Sequence, residues 1–129
     1  MRALLLDQPG PVASLRVDDA PNPQPGVGEV RVKVAAVGLN PVDYKLAGRG
    51  HANWAYPHIL GLDVAGEIDA IGAEVDGFSV GERVFYHGDL TKPGGFAEFA
   101  ITTAHTIARI PDAVSFVDAA AIPCAGLTA

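Results

Sequence analysis

Gly38-Leu39-Asn40-Pro41-Val42-Asp43-Tyr44-Lys45, followed by Pro57-His58-Ile59-Leu60-Gly61-Leu62-Asp63-Val64-Ala65-Gly66, carries most of the structural information in this chain. Asn40 belongs to the residue types that cap a helix, and Pro41 suits a first helical position, where a missing N–H is harmless. A short helix is therefore expected to start at Pro41. Upstream, Val30-Arg31-Val32-Lys33-Val34 alternates apolar and charged residues, the period of a strand with one buried face. Downstream, Val64 to Ile71 reads as a second strand, with Glu67 and Asp69 on one face and Gly66, Ile68 and Ala70 on the other. Arg83-Val84-Phe85-Tyr86 and Phe96-Ala97-Glu98-Phe99-Ala100-Ile101 are further strand candidates, rich in β-branched and aromatic residues. Turn chemistry separates them at Asp76-Gly77, at Lys92-Pro93-Gly94-Gly95 and before Val30, at Pro21, Pro23, Pro25, Gly26 and Gly28, where Pro21 to Pro25 reads as an irregular surface loop. A second helix is expected after Ser115, with Asp118 in its first turn and Ala119 to Ala121 as helix formers. Short strands punctuated by Gly and Pro indicate a mainly β barrel or folded sandwich with short helices.

The 129 residues, 49% of them apolar, suffice for one domain with a true core. The net charge is −6 and the basic residues stand singly, so no stripe exists to track the phosphates of a nucleic acid. The apolar start Ala3-Leu4-Leu5-Leu6 is broken by Asp7, Pro9 and Pro11, too soon for a signal peptide or a membrane span, and a cytoplasmic location is expected. Cys124 is the only cysteine, which rules out an internal disulfide and a multi-thiolate zinc cluster. Gly26-Val27-Gly28 and Gly48-Arg49-Gly50 lack a third glycine and a strand–helix setting, so both read as loop glycines rather than dinucleotide-binding turns.

The two opening segments, together with Gly72-Ala73-Glu74-Val75-Asp76-Gly77-Phe78-Ser79-Val80-Gly81-Glu82-Arg83-Val84 and the closing Pro123-Cys124-Ala125-Gly126-Leu127-Thr128-Ala129, resemble the N-terminal catalytic domain of the medium-chain dehydrogenase/reductase superfamily, in its zinc-free quinone oxidoreductase branch. The resemblance covers residues 1–129 and implies a GroES-like, partly open β-barrel. It also implies a Rossmann domain following the stretch seen here, with NADPH or NADH bound mainly by that domain. On this expectation the chain is one half of a longer reductase and is catalytically silent alone. Zinc alcohol dehydrogenases of the superfamily carry a cysteine at the position of Asn40 and Gly-His-Glu at Gly61-Leu62-Asp63, while Cys124 falls at a third ligand position. Leucine has no lone pair and an amide is a poor substitute for thiolate. No zinc is expected.

Asn40 has two readings, a helix cap or an amide that positions cofactor and substrate, and the resemblance favours the second. Tyr44 and Lys45 are competing donors to the substrate oxygen. Related enone reductases carry a lysine at the position of Lys45, whereas a lysine there otherwise reads as a solvated charge. Asp43 reads as structural. Tyr56 and Leu62 are assigned to a substrate pocket, with Trp54 beside Tyr56 either walling that pocket or covering the barrel end. Thr128 matches a position near the nicotinamide. The four histidines show no metal-ligand spacing among themselves, and the one metal grouping considered joins His58, Asp63 and Cys124. The implied reaction is hydride transfer to a quinone or to the β-carbon of an enone, by a full-length protein for which a homodimer is considered. A zinc-type alcohol dehydrogenase domain and a non-catalytic GroES-like binding module are the alternatives.

Overall fold

A computed structural model describes all residues from Met1 to Ala129. Eight strands form two antiparallel sheets: β1 (Arg2–Leu6), β2 (Arg16–Asp19) and β4 (His58–Ile59) in the order β2-β1-β4, and β3 (Glu29–Gly38), β5 (Asp63–Ile71), β6 (Arg83–His87), β7 (Phe99–Thr103) and β8 (Ala108–Arg109) in the order β7-β3-β5-β6-β8. The sheets do not close on one another by a continuous ladder; a single bridge, Ala3 to Ala97, links β1 to the segment before β7. This is the mainly β, partly open barrel that the strand pattern and the family resemblance lead one to expect.

The alternation in β3 has its physical consequence in burial. Val30 and Val32 are fully buried and pack with Val64, Ile68, Val84, Tyr86 and Ile107 into the main core. Arg31 lies on the other face, where its Nε donates to Asp69 at 2.8 Å. Pairing of β3 with β5 shifts register between Val34 and Ala36. Opposite the shift sits Gly66, where a Cβ would lie 2.2 Å from the Lys33 carbonyl oxygen, so only glycine lets the strands approach this closely.

Three helices cover the barrel: α1 (Pro41–Arg49), α2 (Phe116–Ala120) and α3 (Pro123–Thr128). The first two start where the sequence places them. Asn40 stands at the N-cap of α1 in an extended conformation, and Ser115 Oγ accepts from the Asp118 N–H at the start of α2. The last strand candidate shifts downstream: β7 runs over Phe99–Thr103, because Phe96 and Ala97 instead bond to Leu60 and Gly95 across a turn. The short strands β1, β2, β4 and β8 and the helix α3 add elements for which the sequence carries no local period. No helix is long and apolar enough to cross a membrane.

Candidate functional site

The ends of three neighbouring strands converge on one buried carboxylate. Gly38 closes β3 and pairs with Asp63, the first residue of β5, which in turn pairs with His87, the last residue of β6. Glycine at 38 is required by its neighbours: a Cβ would lie 2.4 Å from the Ala120 carbonyl oxygen, so its absence lets the α2–α3 corner settle over the strand ends. Asp63 is 1% exposed. Its Oδ2 accepts from Asn40 Nδ2 at 2.9 Å, its Oδ1 accepts from His87 Nδ1 at 2.7 Å, and both oxygens accept from the Cys124 backbone N–H at 3.1 Å. A carboxylate offers only acceptors, so this contact fixes the amide of Asn40 with its nitrogen toward Asp63.

Asp43 lies one helical turn from this hub. Its Oδ2 accepts from the Asn40 N–H at 2.8 Å, the structural role expected of it. Its Oδ1 is buried without a partner. Leu62 shares a void of about 10 Å³ with Asp43 and has nothing to donate. Burial raises the Asp43 carboxyl above the ordinary range, the Asn40 N–H opposes this, and the Asp63 charge adds to it. The sign follows from linkage. A carboxyl whose folded pKa is raised binds its proton more tightly in the native state, so the cost of its charge is full at neutral pH and is relieved as pH falls through the folded value toward 3.8. Asp43→Asn is therefore expected to unfold at a temperature equal to or above that of the parent at pH 7, with the advantage gone near pH 4. A variant clearly less stable than the parent at pH 7 would mean that the charge is compensated by a group not identified at this site.

Asn40 and Tyr44 lie together on the wall of an apolar cleft of about 620 Å³, whose other walls include Leu4, Leu15, Leu39 and Phe96. The i to i+4 spacing puts both on one side of α1. Lys45, one residue further round, is exposed and does not line the cleft. Tyr56 packs edge-on to Trp54 at 6.3 Å between centroids and does not line it either. Leu62 is buried in a second core with Leu6, Leu46, Ala47, Trp54 and Leu60. Trp54 stacks on His58 at 3.8 Å and donates from Nε1 to the Leu90 carbonyl, so it covers the barrel end. Thr128 ends α3, its hydroxyl donating to the Cys124 carbonyl.

The metal grouping needs one correction. His58 does not join Asp63 and Cys124: it is 4% exposed under Trp54, and burial lowers its pKa to about 4. His87 takes that place, with ligand-type atoms of Asp63, His87 and Cys124 all within 4.8 Å of one another. The strand register that brings His87 to Asp63 is a tertiary fact with no signal in local sequence. Leu62, a core side chain, has no ligand atom to offer at the position where the resemblance puts a histidine, and Asp63 and His87 hydrogen-bond each other, with Asp63 also bonded by Asn40 and the Cys124 N–H.

Comparison with known proteins agrees with this architecture. Residues 26–112 match the family described as alcohol dehydrogenase GroES-like domain. Among curated relatives, a quinone oxidoreductase of Lama guanicoe is 39% identical over 95% of this chain and 37% of its own length. A chloroplastic quinone-oxidoreductase, QR1, of Triphysaria versicolor is 36% identical over the whole chain and 40% of its own. The solved quinone oxidoreductase of Coxiella burnetii superposes with a TM-score of 0.92 at 32% identity, over 99% of this chain and 42% of that one. The chain thus spans well under half the length of the proteins it matches.

Proposed function

Because the chain belongs to the alcohol dehydrogenase GroES-like domain family of the medium-chain dehydrogenase/reductase superfamily, we propose that it is the substrate-binding catalytic half of a zinc-independent, NAD(P)H-dependent quinone or enone oxidoreductase. The observation that carries this reading is the apolar cleft with Asn40 and Tyr44 on its wall and a buried carboxylate holding Asn40 in one orientation. A planar, largely apolar carbonyl compound suits such a cleft, which is mostly apolar and offers few polar groups.

The dinucleotide, held chiefly by a Rossmann domain and on this half by Asn40 and Thr128, supplies the hydride. The chain's own task is to place the carbonyl and meet the charge that develops on its oxygen. Asn40 has one uncommitted N–H for positioning. Tyr44 brings a hydroxyl to the cleft, and Lys45 stands beside it on the exposed face of α1. A cytoplasmic location and a homodimeric full-length protein complete the reading.

The test is oxidation of NADPH and NADH by the full-length protein with 1,4-benzoquinone and 2-cyclohexenone, before and after dialysis against a chelator. Turnover that survives chelation is expected. Residues 1–129 alone are expected to bind NADPH no tighter than micromolar, since they contain no phosphate-binding turn. Absence of turnover with both acceptors, or activity lost on chelation and restored by zinc, would overturn the proposal, as would saturable quinone binding with no NAD(P)H oxidation.

A further inference from the structure

We propose that the carbonyl compound reduced by this protein carries a hydrocarbon tail, and that Val12, Val17 and Leu39 are the residues that select for it. The inference deepens the reductase reading above and rests on it.

The cleft that holds Asn40 and Tyr44 is larger and more apolar than a single carbonyl ring requires. Its volume is about 620 Å³, and eight of its ten lining residues are hydrophobic. Clefts of about 300–1,000 Å³ enclose ligands of drug size, so a bare quinone ring leaves most of this one empty. Its polar side chains, Asn40, Asp43 and Tyr44, all come from α1 and its cap. Much of the remaining wall comes from the β1–β2 pair and from the single helical turn over Val12–Ser14 that joins them.

That wall is built to be apolar. Leu4 and Val17 stand directly opposite each other in the antiparallel register, so their side chains share a face. Arg16 and Asp18 alternate with Val17 and fall on the other face, where Arg16 is taken up by Asp7 and Asp18. No lysine, arginine or histidine lines the cleft. A carboxylate, phosphate or other anionic extension of the substrate would find no partner there, whereas a hydrocarbon chain needs none.

Exposure points to the same occupant. Val12, Val17 and Leu39 are 54%, 59% and 81% exposed. Apolar residues scattered singly over a surface are ordinary, but three that wall one cleft beside its polar groups form a surface that gains by being covered. A carbonyl placed at Asn40 and Tyr44, with its chain along these residues, covers them and fills the cleft. Burial of the chain stabilises bound substrate and transition state alike, so its effect belongs in KM and not in kcat.

The experiment follows NADPH oxidation by the full-length protein over two series, straight-chain methyl alkenyl ketones from pentenone to decenone and benzoquinones bearing methyl to hexyl chains. In whichever class the parent reduces, kcat/KM is expected to climb about fourfold for each added methylene, the gain from burying one CH2, through a falling KM at nearly constant kcat. In Val12→Gln, Val17→Glu and Leu39→Gln the ratio of kcat/KM between the longest and shortest members should fall on the order of tenfold, as apolar wall is lost. That ratio does not depend on the amount of folded enzyme, so a variant that merely folds less leaves it unchanged. A parent that turns over the shortest members but gains nothing with chain length overturns the tail and leaves the reductase reading standing. A steep parent series that none of the three substitutions alters overturns the assignment of these residues; if their unfolding temperatures fall as well, another part of the protein covers them. Absence of turnover with every member of both series removes the reductase reading itself.

Discussion

Asp63→Leu is expected to be the most damaging single substitution in this domain for stability, costing about 3–5 kcal/mol, the range seen when one member of a buried polar pair is removed. The carboxylate is 1% exposed and serves Asn40, His87 and the Cys124 N–H together, so leucine leaves three donors facing an apolar side chain. Each buried donor left unsatisfied costs about 1–3 kcal/mol, and only His87 can turn part of its ring to water. For a domain of this size the loss corresponds to a fall in unfolding temperature on the order of 10 °C or more. Asp63→Asn should be far milder. Its oxygen retains acceptor capacity for Asn40 and Cys124, and its amide can donate to an imidazole that has changed tautomer. Calorimetry of the two variants separates the readings: equal losses would mean that the carboxylate's charge matters more than its acceptor geometry.

What could be read from the sequence divides along a physical line. Period-two alternation in Val30 to Val34 and capping chemistry at Asn40-Pro41 and Ser115 are local signals, and β3, α1 and α2 lie where those signals put them. β1 and β4 are different. They are held by pairing with each other and by burial of Leu5, Leu6 and Ile59, which no short window reveals. The site divides the same way. Asn40 and Tyr44 are named from the sequence as site candidates, and the structure brings them to one cleft. His87 could not be found, because its partnership with Asp63 depends on the β5–β6 register and closes across 24 residues of chain. Leu62, expected at a substrate pocket, packs in the core between α1 and β1, and Tyr56 lies against Trp54 and Gly50.

Tyr44→Phe is expected to lower turnover of the full-length protein on the order of a hundredfold with little change in KM, the signature of a donor whose bond to the substrate oxygen strengthens only in the transition state. The argument is positional. Tyr44, itself exposed, shares the cleft wall with Asn40, whereas Lys45 lies outside that wall. Lys45→Met is therefore expected to cost less than about tenfold, the smaller effect of a charge acting from outside the cleft through screened solvent. A reversed order would assign the oxyanion contact to the ammonium and leave Tyr44 as an apolar wall. Asn40→Ala should act on two quantities at once. It removes the amide that the positioning role requires, raising KM for dinucleotide and substrate, and it also deletes the bond to Asp63 and the N-cap of α1, costing about 1 kcal/mol or more of stability. Kinetics measured well below the lowered unfolding temperature separate these losses: a KM effect that persists there belongs to the site, and one that disappears belongs to the cap.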